Sequence, residues 1–345
     1  MRERVGKRVN EFLAGQRPLL DDVSPDVGGL VDPLTDFMAG GKKLRAMFLY
    51  WGWRAAGGPD CDEVIGAASA MEFLQACALV HDDLMDRSDS RRGRPAMHRQ
   101  FTDMHARASW AGSPDDFGAA AAILLGDLCL SWADELLMGC GLPTAALQRG
   151  KPVYDTLRTE LMAGQYLDIL EQVRRNTAVE PALQVARFKS AKYTIERPLH
   201  LGAALADADP GLVTALRDYG LSLGVAFQLR DDLLGVYGDP DTTGKPAGDD
   251  LREGKRTALV AFALSDLDDD GRAALAADLE STSTDPARVR RMRTLVDSTD
   301  ARLRVESLID DYAARAGDAL AASDADPQAR DVLNQLITAA TSRVA

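Results

Sequence analysis

Three carboxylates, Asp82, Asp83 and Asp86, close the apolar segment MEFLQACALVHDDLMD that begins at Met71. A helix makes a turn in about 3.6 residues, so Asp82 and Asp86, four apart, face the same way. Gln75, seven before Asp82, lies on the same stripe. Like charges at this spacing destabilise a bare helix, and acidic groups at its C-terminus oppose the macrodipole. Cations bridging the carboxylates relieve both penalties. Mg²⁺ commonly takes one or two protein carboxylates and fills its shell with water and phosphate oxygens. The next loop, Arg91-Arg92-Gly93-Arg94-Pro95, brings three guanidiniums, which suit phosphate oxygens. Either feature alone reads as a solvated helix end or a set of surface ion pairs. Together they fit a metal–diphosphate site.

The segment FQLRDDLLGVYGD, Phe227 to Asp239, repeats the logic, with Gln228, Asp231 and Asp232 on one helix face. A stretch rich in Gly and Pro follows, bearing Lys245, then Gly248-Asp249-Asp250 and Lys255. Glycine lets backbone approach a ligand, and lysine offers a mobile point charge for phosphate. The spacing GxxxxGK[ST] is absent, so this is no P-loop. Near the start, Gly40-Gly41-Lys42-Lys43-Leu44-Arg45 precedes an apolar helical run. It reads either as phosphate binding at a helix N-terminus or as an ordinary basic helix start.

These residues must be positioned by helices. Helical periodicity predicts segments at about 62–86, 116–140, 151–173, 181–206, 210–237, 254–266 and 297–319. The breaks carry Gly, Pro or clustered Asp. No strand pattern, internal repeat or long linker is evident, so the 345 residues are expected to form one all-α domain. The last 80 or so residues are read as a peripheral helical layer. The net charge of −13 disfavours nucleic acid as a partner. No run of 18 apolar residues suggests a transmembrane helix, and the N-terminus lacks a signal peptide's apolar core. Cys61, Cys77, Cys129 and Cys140 fit no zinc spacing and read as thiols of a cytoplasmic protein.

Taken together, five segments resemble the trans-isoprenyl diphosphate synthase (polyprenyl synthetase) family, in the family's order, over roughly 35–260. They are GGKKLR at 40–45, HDDLMDRSDSRRGRP at 81–95, MAGQYLDI at 162–169, FKSAKYTIERPL at 188–199 and FQLRDDLLGVYGDPDTTGK at 227–245. The resemblance implies a helical bundle of the isoprenoid synthase type with a central active-site cavity, up to three Mg²⁺ ions, and a homodimer. It implies that Lys42, Arg45, Gln75 and Arg92 hold isopentenyl diphosphate. Arg91, Lys189, Ser190, Gln228, Lys245 and Lys255 would hold an allylic diphosphate. Asp82 and Asp86 would bind two ions and Asp231 a third, with Asp232 acting through water. The sequence departs from the family in four places: Ala46 replaces a proline, Gln75 stands where many members have histidine, Ser190-Ala191 replaces Thr-Gly, and Gly235 replaces the last aspartate of the second motif. Asp239, one turn on, is expected to compensate in part.

The reaction so implied ionises an allylic C–O bond. Lys189, Lys245 and Arg91 would place positive charge on the leaving diphosphate, and a closing 238–250 stretch would exclude water. His81, offset from Asp82, reads as a packing residue. The product tail would run along the helix before Asp82. Ala78 and Cys77 are small where members making the C15 product tend to carry aromatics, so the floor is expected near Leu74, Phe73 or Met71. Met71 lies roughly 16 Å from Asp82 at the helical rise, which suits geranylgeranyl diphosphate, C20. A terpene cyclase would leave Lys42, Arg45 and Arg92 without a role. A non-catalytic subunit of a heteromeric synthase would be expected to lose one aspartate motif.

Overall fold

The computed structural model describes residues 1–239, 247–281, 283 and 285–341. The chain forms two compact units, residues 1–50 with 59–147, and 51–58 with 148–345. Both are helical, as expected.

The first unit contains α1 (Arg2–Val23), α2 (Pro25–Gly28), α3 (Val31–Ala39), most of α4 (Leu44–Ala55), α5 (Asp62–Met85), α6 (Met97–Ala108) and α7 (Pro114–Met138). Among the described residues the strands are one pair, Ser90–Arg91 against Arg94–Pro95. Its two-residue turn uses positive φ at Arg92 (55°) and Gly93 (73°), as tight hairpins require. Two-residue strands leave no alternating pattern, which is why periodicity misses them.

α5 is apolar on all sides and packs against α7 and α1. A helix of that kind is stable only when buried on all sides. Asp62 and Glu63 in its first turn complement the macrodipole. α7 starts at Ser113, whose hydroxyl accepts from the Asp116 N–H at 3.3 Å, with Pro114 at the first helical position. The helices Asp62–Met85 and Pro114–Met138 are both long and apolar enough to cross a membrane by composition, although no run of 18 apolar residues occurs. The window in α5 is 78% buried inside the protein. The N-terminal helix α1 was missed because its buried residues, Val5, Val9, Leu13 and Gln16, form a thin stripe among charged ones.

The second unit contains most of α8 (Thr144–Arg174), α9 (Val179–Val185), a π-helix (Ala186–Glu196), α10 (Arg197–Leu205) and α11 (Pro210–Tyr237). α12 (Asp249–Arg252), α13 (Ala258–Asp266), α14 (Asp269–Glu280), α15 (Pro286–Asp297), α16 (Ala301–Ala321) and α17 (Pro327–Thr341) follow. The single helix expected at 181–206 is therefore three pieces. Its middle is π-helical, and neighbouring helices approach it closely through glycines. A Cβ on Gly224 of α11 would lie 2.5 Å from Ala191 Cα, and one on Gly164 of α8 would lie 2.6 Å from the Lys189 nitrogen. The wider π-turn is rare and tends to mark functional sites. α11 begins at Asp209, which accepts from the N–H groups of Gly211 (2.8 Å) and Leu212 (3.0 Å).

Candidate diphosphate and metal sites

In the first unit, α5 ends where its burial ends. Asp86 is the C-cap, and its N–H donates to the Asp82 carbonyl at 2.8 Å. Asp82 and Asp86 therefore sit one turn apart, as the spacing predicts. Asp83 between them is fully buried. It accepts from Arg91 Nε at 2.9 and 3.2 Å on its two oxygens, and from Arg91 Nη2. Arg91 Nη2 also lies 3.7 Å from Asp82 Oδ2. Arg91 was expected to hold diphosphate; here Nε and Nη2 are committed to Asp83. Asp83 is thus a positioning residue that motif reading passed over, because a DDxxD pattern draws attention to its first and last members.

Beside this end of α5 lies a second basic group. Arg45 Nη1 donates to Gln75 Oε1. Arg92 donates to the Phe37 carbonyl at 3.3 Å, and its guanidinium lies 5.9 Å from the Phe37 ring centre. Lys42 is exposed in the segment between α3 and α4. Lys43, absent from the expected set, is buried in a left-handed conformation (φ 53°). Its Nζ donates to the Met38 carbonyl at 2.6 Å and pairs with Glu72 at 3.3 Å. Gly40, Lys43, Glu72, Gln75 and Arg92 line one recess. The signal for Glu72 was available: a carboxylate inside an apolar helix must find a cation. The structure thus brings Arg45, Gln75 and Arg92 together.

The wall expected beneath Asp82 divides. Met71, Leu74 and Cys77 are buried and Ala78 is half-buried. Met71 and Ala78 keep to the Asp82 stripe. Phe73 falls on the opposite face, where its ring meets Phe12 (5.1 Å between centroids) and Trp132 (6.2 Å). It therefore drops out as a floor. Cys77 faces α7 with His81: its Sγ is 3.8 Å from His81 Nδ1, and burial pushes the thiol up to about 12. His81 Nε2 is 3.0 Å from the Ile123 carbonyl. A packing role accounts for that geometry.

In the second unit, Lys189 lies on the π-helix and pairs with Asp168 of α8 at 2.6 Å. Gly164, one turn before Asp168, is what lets α8 come close to the Lys189 backbone. Ser190 follows on the π-helix, half-buried. Gln228 donates to Asp232 Oδ1 at 2.7 Å, so it too is committed to an aspartate. Asp232 is buried, and burial pushes its pKa up to about 8, with Asp250 and Asp231 adding to the rise against the Gln228 hydrogen bond. Asp231 is exposed. Lys255 Nζ lies 2.7 Å from Glu253 and 3.6 Å from Asp250. Lys245 lies outside the described residues. The compensation expected of Asp239 does not follow the helix: α11 stops at Tyr237, and Gly238 is extended (ψ 147°). Asp239 is therefore not one helical turn beyond Gly235 on the same face.

Among the described residues no group of three or more His, Cys, Asp or Glu side chains forms a ready-made metal cage. The donor set is instead carboxylates in small groups with basic residues nearby. That suits Mg²⁺, which dehydrates reluctantly and is held by one or two carboxylates plus phosphate oxygens.

The polyprenyl synthetase family model matches residues 29–296. The crystal structure of geranylgeranyl pyrophosphate synthase from Corynebacterium glutamicum, complexed with isoprenyl diphosphate and magnesium, superposes with a TM-score of 0.96. It is 40% identical in sequence, and the match covers 99% of this chain and 98% of that one. Geranylfarnesyl diphosphate synthase from Aeropyrum pernix is 31% identical over 308 residues, covering 89% of this chain and 91% of the relative. (2E,6E)-farnesyl diphosphate synthase from Mycobacterium bovis is 37% identical over 227 residues, covering 65% of this chain and 57% of the relative. The chain belongs to the polyprenyl synthetase family, has its all-α fold, and is a trans-prenyltransferase.

Proposed function

We propose that the chain condenses isopentenyl diphosphate with an allylic diphosphate and makes geranylgeranyl diphosphate, C20, as a single synthase domain over 1–345. Lys42, Arg45, Gln75 and Arg92 hold the isopentenyl diphosphate. Lys189, Ser190, Gln228, Lys245 and Lys255 hold the allylic diphosphate, with Arg91 contributing from its Asp83 anchor. Asp82 and Asp86 hold two Mg²⁺ ions and Asp231 a third. When bound, the ions neutralise charge on the departing diphosphate as Lewis acids. Lys189, held at a fixed place by Asp168, adds preorganised positive charge toward the same oxygens. The clamp of Arg45 and Arg92 orients the second substrate so that its double bond meets the allylic cation. The released diphosphate takes the proton, since His81 is occupied by α7.

The C20 assignment rests on one observation. On the Asp82 stripe of α5 the first side chain encountered is Ala78, which is small, and beyond Gln75 the first large apolar one is Met71, fully buried. The relatives' names span C15, C20 and C25, so the chain's own wall decides. Product analysis by mass spectrometry, with isopentenyl diphosphate and C5, C10 or C15 primers in turn, tests it. A C25 product would give the reading of the Aeropyrum pernix relative. Turnover of an allylic diphosphate alone to a hydrocarbon would make the enzyme a cyclase. Ala78→Phe shortens the product; an unchanged product would remove α5 as the wall. The working form is proposed to be a cytoplasmic homodimer, which sedimentation of the purified protein checks.

A further inference from the structure

α15 carries a charged residue where its pattern calls for an apolar one. Its inner face reads Arg288, Met292 and Val296, four apart and all buried. Met292 and Val296 join Leu251 of α12 and Leu275 and Leu279 of α14 in one apolar cluster. Arg288, at the head of the stripe, is only 2% exposed. An apolar side chain there would be buried without the desolvation cost of a guanidinium. The arginine must supply something that an apolar side chain cannot.

Its hydrogen bonds show what that is. Nη2 donates to the Arg252 carbonyl at 2.6 Å, and Nη1 donates to the Ser281 carbonyl. Arg252 is the last residue of α12, and Ser281 is the C-cap of α14. One planar fork thus closes two helix C-termini, where carbonyls lack partners and positive charge is favoured. The next residue, Val289, meets the other end of the same turn: a Cβ on Gly248 would lie 2.5 Å from Val289 Cγ1. α15 therefore cradles 248–252 at both ends.

Lys255 follows that turn rigidly. The Gly254 N–H donates to the Leu251 carbonyl at 3.2 Å, and the Lys255 N–H donates to the Asp250 carbonyl at 2.9 Å. With Gly254 left-handed (φ 71°), this is a Schellman closure of α12. A Cβ on Gly254 would lie 2.6 Å from the Leu279 carbonyl oxygen, so the chain leaves the turn pressed against the end of α14. We infer that Arg288 is a positioning residue for the allylic-diphosphate clamp: by holding the Arg252 carbonyl it sets the place of Lys255, three residues on. The inference rests on the role given to Lys255 under Proposed function and adds the helix that steadies it. It gives the peripheral helical layer a part in substrate binding.

The test is a split between two Michaelis constants, which do not depend on how much of a preparation is active. KM for a C10 allylic diphosphate and KM for isopentenyl diphosphate are measured on the full chain with Mg²⁺. Lys255→Gln is expected to raise the allylic KM about tenfold, the loss of one charged hydrogen bond. Arg288→Met is expected to raise the allylic KM about fivefold, because Lys255 then stands out of place. It should leave the isopentenyl KM within about twofold of the parent. The double variant should have an allylic KM no more than about twofold above that of Lys255→Gln, because the arginine acts through the lysine. A merely structural arginine would move both constants alike or neither, and its effect would multiply with that of Lys255→Gln. Arg288→Lys keeps the charge without the fork and should fall between the parent and Arg288→Met; it carries the comparison where Arg288→Met does not fold. An allylic KM unchanged in a folded Arg288 variant overturns the inference, as do equal rises in both constants or effects that multiply in the double variant. An allylic KM unchanged in Lys255→Gln shows that the assignment of Lys255 itself has failed, and the inference falls with it.

Discussion

The first aspartate region is built from contiguous sequence: residues 82–91 supply the carboxylates, a tight hairpin and the arginine that Asp83 holds. The second is assembled from a helix face at 228–235 and a separate turn at 249–252. In the first, helical spacing alone places the groups. In the second, the place of one carboxylate depends on how Leu251 packs against α11. A motif that is complete in sequence is thus local in space, whereas beside the one broken at Gly235 tertiary packing brings in Asp250.

The largest effects should come from the residues proposed to bind metal directly. Asp82→Asn or Asp86→Asn is expected to lower turnover about 10³-fold, the scale of roughly 4 kcal/mol that a preorganised charge contributes. Asp231→Asn should lose about as much, and excess chelator should abolish turnover in the parent. Asp239→Asn should stay within about threefold of the parent, because its backbone has left α11. Steady-state rates with isopentenyl diphosphate and a fixed allylic primer make the comparison. An Asp239 variant as crippled as Asp231 would show that the second region is organised by the extended segment and not by the helix face.

The next effect separates stability from chemistry. Asp83 is fully buried and Arg91 is 17% exposed. Removing one partner of such a pair leaves an uncompensated charge, at a cost of about 3–5 kcal/mol. Arg91→Leu, which leaves the fully buried Asp83 without its cation, should therefore lower unfolding stability by about that much in denaturant titration. The second region's counterpart, Lys189 with Asp168, is 21% and 15% exposed, so water reaches both partners. Asp168→Asn should cost only about 1 kcal/mol of stability. It should lower turnover about tenfold, because Lys189 loses its fixed position. Equal stability losses for the two variants would erase the distinction between a buried brace and an accessible one.

Much of this was readable in the sequence because it is local. The i,i+4 pairing of Asp82 with Asp86, the Gln75 stripe and the helix boundaries of α5 and α11 all follow from turn geometry and caps. What was not readable depends on residues far apart. Lys43 meets Glu72, Asp168 meets Lys189, and Asp250 fills the space at Gly235, each across elements that periodicity cannot align. The sequence puts Arg91 and Gln228 beside the aspartate motifs but does not name their partners, because a basic or amide group near a motif says nothing about which oxygen it binds. The π-helix escaped because apolar periodicity does not separate it from an α-helix, and its close approaches at Gly164 and Gly224 are made across elements.

The smallest effects compare two glycines on which the regions lean. A Cβ on Gly164 would meet the Lys189 nitrogen at 2.6 Å and the Phe188 carbonyl carbon at 2.8 Å, both backbone atoms of the π-helix. A Cβ on Gly126 would meet the His81 ring, with Nε2 at 2.0 Å. Backbone held between α8 and α11 has nowhere to go, whereas a ring can turn about its own side-chain bonds. Gly164→Ala should therefore cost about 2 kcal/mol of stability. It should lower turnover as well, because the strain is delivered to Lys189. Gly126→Ala should cost about 1 kcal/mol and leave turnover near that of the parent, because His81 carries no step of the reaction. Thermal unfolding and turnover measured on both variants decide the matter. If Gly126→Ala lost the greater activity, His81 would be acting on Asp82 or on the substrate, and the first region would owe more to α7 than its packing shows.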